Sequence, residues 1–109
     1  MMKNRKLPPD FFNAVAEVIK IIGHPQRLQI LEHLELYGES KAGDIAEAVG
    51  GRQGAVSQHL NKMRIAGILA ARRDSREVYY RIAEQHAVTI LGCIRKKFEE
   101  GSGGGCGGD

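Results

Sequence analysis

The sequence predicts a mainly α-helical domain with one small β-hairpin, five helices and a two-stranded wing. Three observations carry that expectation. Apolar residues recur at helical spacing in five segments, and glycine or proline punctuates most of their ends. Val78, Tyr80 and Ile82 alternate with Glu77, Tyr79 and Arg81, the period of a half-buried strand. Two short helical segments joined at Gly50-Gly51 run directly into that strand region, so residues 42 to 81 read as helix, turn, helix and basic hairpin. This is the order of a winged helix-turn-helix.

Each element has its own signal. Asp10 is placed to cap a first helix whose apolar positions are Phe11, Val15, Val18, Ile19 and Ile22, with Gly23 ending it. Pro25 suits the first turn of a second helix, where a missing N–H costs nothing. That helix carries Leu28, Leu31 and Leu34 on one stripe, widened by Ile30 and Tyr37, and Gly38 stops it. The third is short, with Asp44 near its start and Ile45, Ala46 and Val49 facing inward. The fourth runs to about Ala66 on a buried stripe of Val56, Leu60 and Met63, and Gly67 closes it. Strands at 68–72 and 77–82 are joined through Asp74-Ser75. The last helix, from 84 to about 99, places Ala87, Leu91, Ile94 and Phe98 on one stripe. Residues 1–9 are expected to be a flexible N-terminus, 10–100 the folded domain, and 101–109 a flexible glycine-rich tail.

Composition narrows the function. A chain of 109 residues is one domain by length. Its net charge of +3, from 16 basic and 13 acidic side chains, is too small for binding along the whole surface. The basic residues are local instead: Arg64, Arg72, Arg73, Arg76 and Arg81 crowd the second half, and Lys3, Arg5 and Lys6 the start. A localised patch suits a site-specific nucleic-acid binder. No run is long enough to span a membrane and no apolar stretch follows the basic start, so a cytoplasmic protein without a membrane partner is expected. Two cysteines, Cys93 and Cys106, are too few for a disulfide scaffold. No Ser-His-Asp order, phosphate loop or cleft-like carboxylate pair points to an enzyme.

The fourth helix has the surface of a DNA reader. Gln53, Ser57, Gln58 and Asn61 lie opposite its apolar stripe, and Gln and Asn make bidentate hydrogen bonds to adenine. His59 is expected to face DNA or to pack beneath the wing. Arg52 at the helix entrance can reach a phosphate, and Lys62 and Arg64 near its end suit backbone contacts. Arg72, Arg73 and Arg76 surround the hairpin turn, where they can straddle the minor groove of double-stranded DNA. A winged helix used only for protein contacts is the rival class; the arginine-rich wing argues against it.

Gly23-His24-Pro25-Gln26-Arg27-Leu28-Gln29-Ile30-Leu31 resembles the second-helix signature of the ArsR/SmtB family of winged-helix repressors. Val56-Ser57-Gln58-His59-Leu60, Ala66-Gly67-Ile68-Leu69 and Val78-Tyr79-Tyr80-Arg81 are similar to that family's recognition helix and wing. The likeness runs from about Phe11 to Phe98. It implies a homodimer built from the first and last helices, bound to an inverted-repeat operator and released by an effector. One departure is local: Gly51-Arg52 and Gly54 stand where the family carries leucine, serine and hydroxyl residues, and a missing hydroxyl cap weakens a helix start by about 1 kcal/mol.

The resemblance also sets out two metal sites to look for, and neither is complete. Lys41 and Gly43, ahead of Asp44, occupy the positions of the thiolate site beside the third helix. The zinc-type positions in the last helix fall on Glu84, His86, Lys97 and Glu100, and a lysine ammonium has no lone pair for a metal. His24, His33 and His59 share no ligand spacing, and His24 is expected to help cap a helix. No metal and no cofactor are therefore expected. The cysteines remain. Cys93 lies beside the apolar stripe of the last helix, and Cys106 sits in a tail that cannot bury it, with Lys96 and Lys97 near enough to favour thiolate. Three readings stay open: an oxidant or reactive-sulfur sensor, capture of a soft ion such as arsenite, or no thiol function.

Overall fold

The computed structural model describes residues 6–102, which leaves Cys106 outside the described residues. Five helices and a small sheet follow in the order α1 (Pro9–Ile22), α2 (Pro25–Tyr37), β1 (Ser40–Lys41), α3 (Ala42–Val49), α4 (Gln53–Ile65), β2 (Leu69–Asp74), β3 (Glu77–Ile82) and α5 (Gln85–Ser102). The mainly helical winged architecture is as the sequence predicts. The sheet is not: three strands, ordered β1-β3-β2 and all antiparallel, replace the expected two. Ser40 and Lys41 pair with Tyr80 and Tyr79, so the wing is fastened along its inner edge to the segment between α2 and α3. A two-residue strand has no periodicity to detect; β3 supplies its hydrogen bonds from across the fold.

Helix ends follow their local chemistry. The first helix starts two residues earlier than expected, at Pro9 with Pro8 rather than Asp10 as N-cap, and Asp10 lies in the first turn, where its charge complements the helix dipole. At α2 the His24 ring accepts from the Gln26 N–H at 3.1 Å and caps the helix as anticipated. The third and fourth helices both end in paired Schellman bonds. Gly50 (φ 71°) and Gly51 donate to Glu47 and Ala46, while Gly67 (φ 85°) and Ile68 donate to Arg64 and Met63. The fifth helix starts from Glu84, whose Oε2 accepts the His86 N–H at 3.0 Å, and runs to Ser102, past the end its periodicity suggested.

One core holds these elements. Val18 and Ile22 from α1, Ile30, Leu31 and Leu34 from α2, Ile45 and Ala46 from α3, and Val56, Leu60 and Met63 from α4 meet Ile68, Leu69, Ala87 and Leu91. The second helix is central to this core, so more of its circumference is covered than a single stripe predicts. Ile30 is fully buried while Leu28 is only half-buried, and Tyr37, expected to widen the stripe, is exposed. On α5 the stripe divides: Ala87 and Leu91 are buried, but Ile94 and Phe98 are exposed. Arg95 ties α5 to α2 through Glu35 at 2.8 Å and Glu32 at 3.6 Å.

Candidate nucleic-acid interface

The two faces of α4 differ in exposure. Val56, Leu60 and Met63 are each fully buried, which fixes the helix against the core. Gln53, Ser57, Gln58, Asn61, Lys62 and Arg64 are all exposed, as is Arg52 at the N-cap position. No side chain caps this helix start, so its first N–H groups are open to an acceptor from outside. The approach is tight: a Cβ on Gly51 would lie 2.7 Å from Gln26 Nε2 and 2.9 Å from Val56 Cγ2. The glycine at 51 is thus a packing requirement of the helix-turn-helix. Near the far end Arg64 Nη2 donates to Asn61 Oδ1 at 2.7 Å, which orients the Asn61 amide.

The wing presents its arginines unequally. The hairpin loop is Ser75-Arg76, one residue later than the sequence suggested, because Asp74 and Glu77 are still paired. Ser75 takes a positive φ of 60°, as a two-residue hairpin loop requires. Arg76 therefore stands at the tip and Arg73 beside it, and neither forms an ion pair among the described residues. The Arg72 side chain is engaged within the protein. Its Nη2 lies 2.8 Å from Glu39 Oε1, its Nε donates to both Glu39 oxygens at 2.9 and 3.0 Å, and its guanidinium sits 4.7 Å over the Tyr79 ring. The hydrogen bond from Arg72 holds the Glu39 carboxyl below the usual carboxylate range, against the opposing effect of desolvation. This pair spans the sheet and braces the wing on the α2–β1 connection.

His59 meets the start of α2. It is half-buried against the head of α2, where Arg27 Nε donates to its Nδ1 at 3.0 Å and the His24 ring lies 4.5 Å away. Neither contact was legible in the sequence, since Arg27 and His59 are 32 positions apart. Burial, then His24, Arg27 and Lys62, lower the His59 pKa below the ordinary imidazole value.

The remaining candidates lie on the helical side of the molecule. Cys93 is an exposed free cysteine on α5. Glu84 is occupied as the cap of that helix, and the His86 ring stacks edge-on against Phe11 of α1 at 5.7 Å. Among the described residues no group of three or more His, Cys, Asp or Glu side chains is arranged to hold a metal ion.

Residues 24–71, from the cap of α2 into β2, match the arsR family of bacterial regulatory proteins. The biofilm growth-associated repressor of Xylella fastidiosa is 32% identical over 82 residues, covering 75% of this chain and 71% of its own. The chain belongs to the arsR family. Two solved structures extend the likeness. The antimony-specific transcriptional repressor AntR superposes with a TM-score of 0.84 at 27% identity, covering 93% of this chain and 92% of its own. A homodimeric winged helix-turn-helix DNA-binding domain from Mycobacterium bovis superposes with a TM-score of 0.69 at 29% identity, covering 92% of each. This arsR-family protein is accordingly a DNA-binding transcriptional regulator, not an enzyme. No helix among its described residues is long and apolar enough to cross a membrane.

Proposed function

We propose that the protein is a homodimeric repressor that grips an inverted-repeat operator and releases it on a thiol-reactive signal at Cys93 and Cys106. The polar outer face of α4 carries the first half of this reading, because its inner face is wholly buried. Gln53, Ser57, Gln58 and Asn61 read base edges; Arg52, Lys62 and Arg64 bind phosphates. On the wing, Arg73 and Arg76 contact DNA while Arg72 braces the strand that carries them. Replacing Arg73 and Arg76 by alanine is expected to weaken binding to all duplexes alike. The slope of log affinity against log salt should fall by about one for each phosphate no longer neutralised. Gln58→Ala should change sequence preference instead. Equal effects from both sets on a panel of duplexes would overturn this division of roles.

The homodimer is supported by the exposed apolar residues of α1 and α5 and by the homodimeric relative from Mycobacterium bovis. For the signal, the supporting observation is the exposure of Cys93 on α5. A peroxide would take two electrons and two protons from the Cys93 and Cys106 thiols, leaving a disulfide and water. The second reading, capture of a soft metalloid by the same thiols, draws on the similarity to a repressor described as antimony-specific. Operator binding is expected to fall after peroxide or after arsenite, according to which reading holds, and Cys93→Ser and Cys106→Ser should both abolish that response. Variants that respond to both agents like the parent protein would remove both thiol readings and leave DNA binding intact.

A further inference from the structure

At the joint between α1, α2 and α4, Arg27 is held between two helices. Its Nη1 donates to the Ile21 carbonyl at 2.7 Å, one of the last carbonyls of α1, and its Nε donates to His59 Nδ1 at 3.0 Å. A guanidinium is planar and presents its donors in a fixed fork, so satisfying both acceptors sets the position of one helix against the other. We propose that Arg27 is a positioning residue for DNA recognition: through His59 it fixes the rotation of α4 against the end of α1, and it does so only while His59 Nδ1 carries no proton. The consequence for DNA rests on α4 being the recognition helix; the joint itself does not.

The hydrogen bonds define the protonation state. Because Arg27 can only donate, His59 must accept at Nδ1 and, when neutral, carry its proton on Nε2. Its neighbour His24 is held similarly, with Nδ1 accepting from the Gln26 N–H. The titratable and charged groups facing His59 are His24 at the N-cap of α2, Arg27 of α2, and Lys62 from its own helix. All three are cationic when charged, and with burial they favour the neutral ring. A proton at Nδ1 would set N–H against N–H and place two cations side by side. The Arg27–His59 bond must then open, while Val56, Leu60 and Met63 still hold α4 in the core. Acidification thus loosens the aim of the helix without unfolding it.

The test compares the full-length parent with His59→Asn and Arg27→Ala. An asparagine Oδ1 can take the place of Nδ1 as acceptor but does not titrate near neutral pH. Without DNA, long-range proton–nitrogen NMR should find His59 in the Nε2–H form, titrating below the ordinary value, with α4 amide shifts following that titration in the parent and not in H59N. On a duplex carrying the operator, parent and H59N should bind alike at pH 8, and R27A about tenfold or more weaker. Below the His59 midpoint, parent affinity relative to H59N should fall by up to about tenfold per pH unit. Expressing affinity relative to H59N cancels the general gain in DNA affinity as other groups acquire charge. An Nδ1–H tautomer, α4 shifts that ignore the titration, or parent and H59N affinities that stay parallel below the His59 midpoint measured by NMR would each overturn the proposal. Loss of DNA binding in every form at every pH would instead defeat the recognition-helix reading, and the NMR titration would still decide the joint.

Discussion

Replacing Ile94 and Phe98 together by aspartate is expected to leave a folded monomer that binds an inverted-repeat duplex about two orders of magnitude more weakly. Phe98 is 72% exposed and Ile94 49%, although both stand on the helical stripe of α5 that buries Ala87 and Leu91. They line an open groove of about 490 Å³ between α2 and α5, together with Leu28 and Leu91. Phe11, Phe12 and Ile19 of α1 are also left exposed. Covering side chains of this size contributes about 1.5–3 kcal/mol each, and a symmetric dimer counts every one twice. Aspartates there place like charges in an apolar contact but remove little from the core of a single chain. Linking two half-site contacts within one particle raises affinity by about 10²–10⁴, and that is the factor a monomer forfeits. Sedimentation equilibrium reports the mass, circular dichroism the fold and fluorescence anisotropy the affinity. Leu36→Asp, also exposed but at the end of α2, serves as the control and should remain dimeric. A double aspartate variant that sediments as a dimer would show that the interface lies elsewhere.

The helices and the exposed polar face of α4 were legible because each rests on local periodicity. Val56, Leu60 and Met63 recur on one side of α4, and all three are fully buried. The hairpin was legible for the same reason, to within one residue at its turn. What escaped has a common physical form: a contact between side chains distant in sequence. Nothing near Arg72 announces that Glu39, 33 positions away, will take its guanidinium, and so all three wing arginines looked equally available. The partners of His59 escaped similarly, since they are fixed by how α2 crosses α4. Strand β1 was invisible because two residues carry no period. Ile94 and Phe98 mark the opposite limit. The pattern identified them as apolar-face residues, but a pattern cannot say whether such a face meets the chain's own core or another surface.

Leu60→Ala is expected to cost about 2–5 kcal/mol of stability, and Ile65→Ala on the same helix no more than about 0.5 kcal/mol. Both remove an aliphatic side chain of similar size, but Leu60 is 0% exposed and Ile65 is 70% exposed. Truncating Leu60 opens a cavity against Val56, Met63 and the facing core of α2 and α3, which relaxation can only partly refill. For a domain of about 100 residues each kcal/mol shifts Tm by roughly 4–8 °C, so the first variant should melt at least 8 °C lower and the second within a few degrees of the parent. The contrast also separates the two faces of α4. Below its lowered Tm, the Leu60 variant should keep the sequence preference of the parent, because the base-reading side chains are untouched. Gln58→Ala should do the reverse, changing stability by no more than about 0.5 kcal/mol and altering preference. Scanning calorimetry and binding to a duplex panel measure both axes. If Leu60→Ala changed base preference while Gln58→Ala did not, the assignment of anchoring to one face and recognition to the other would be reversed.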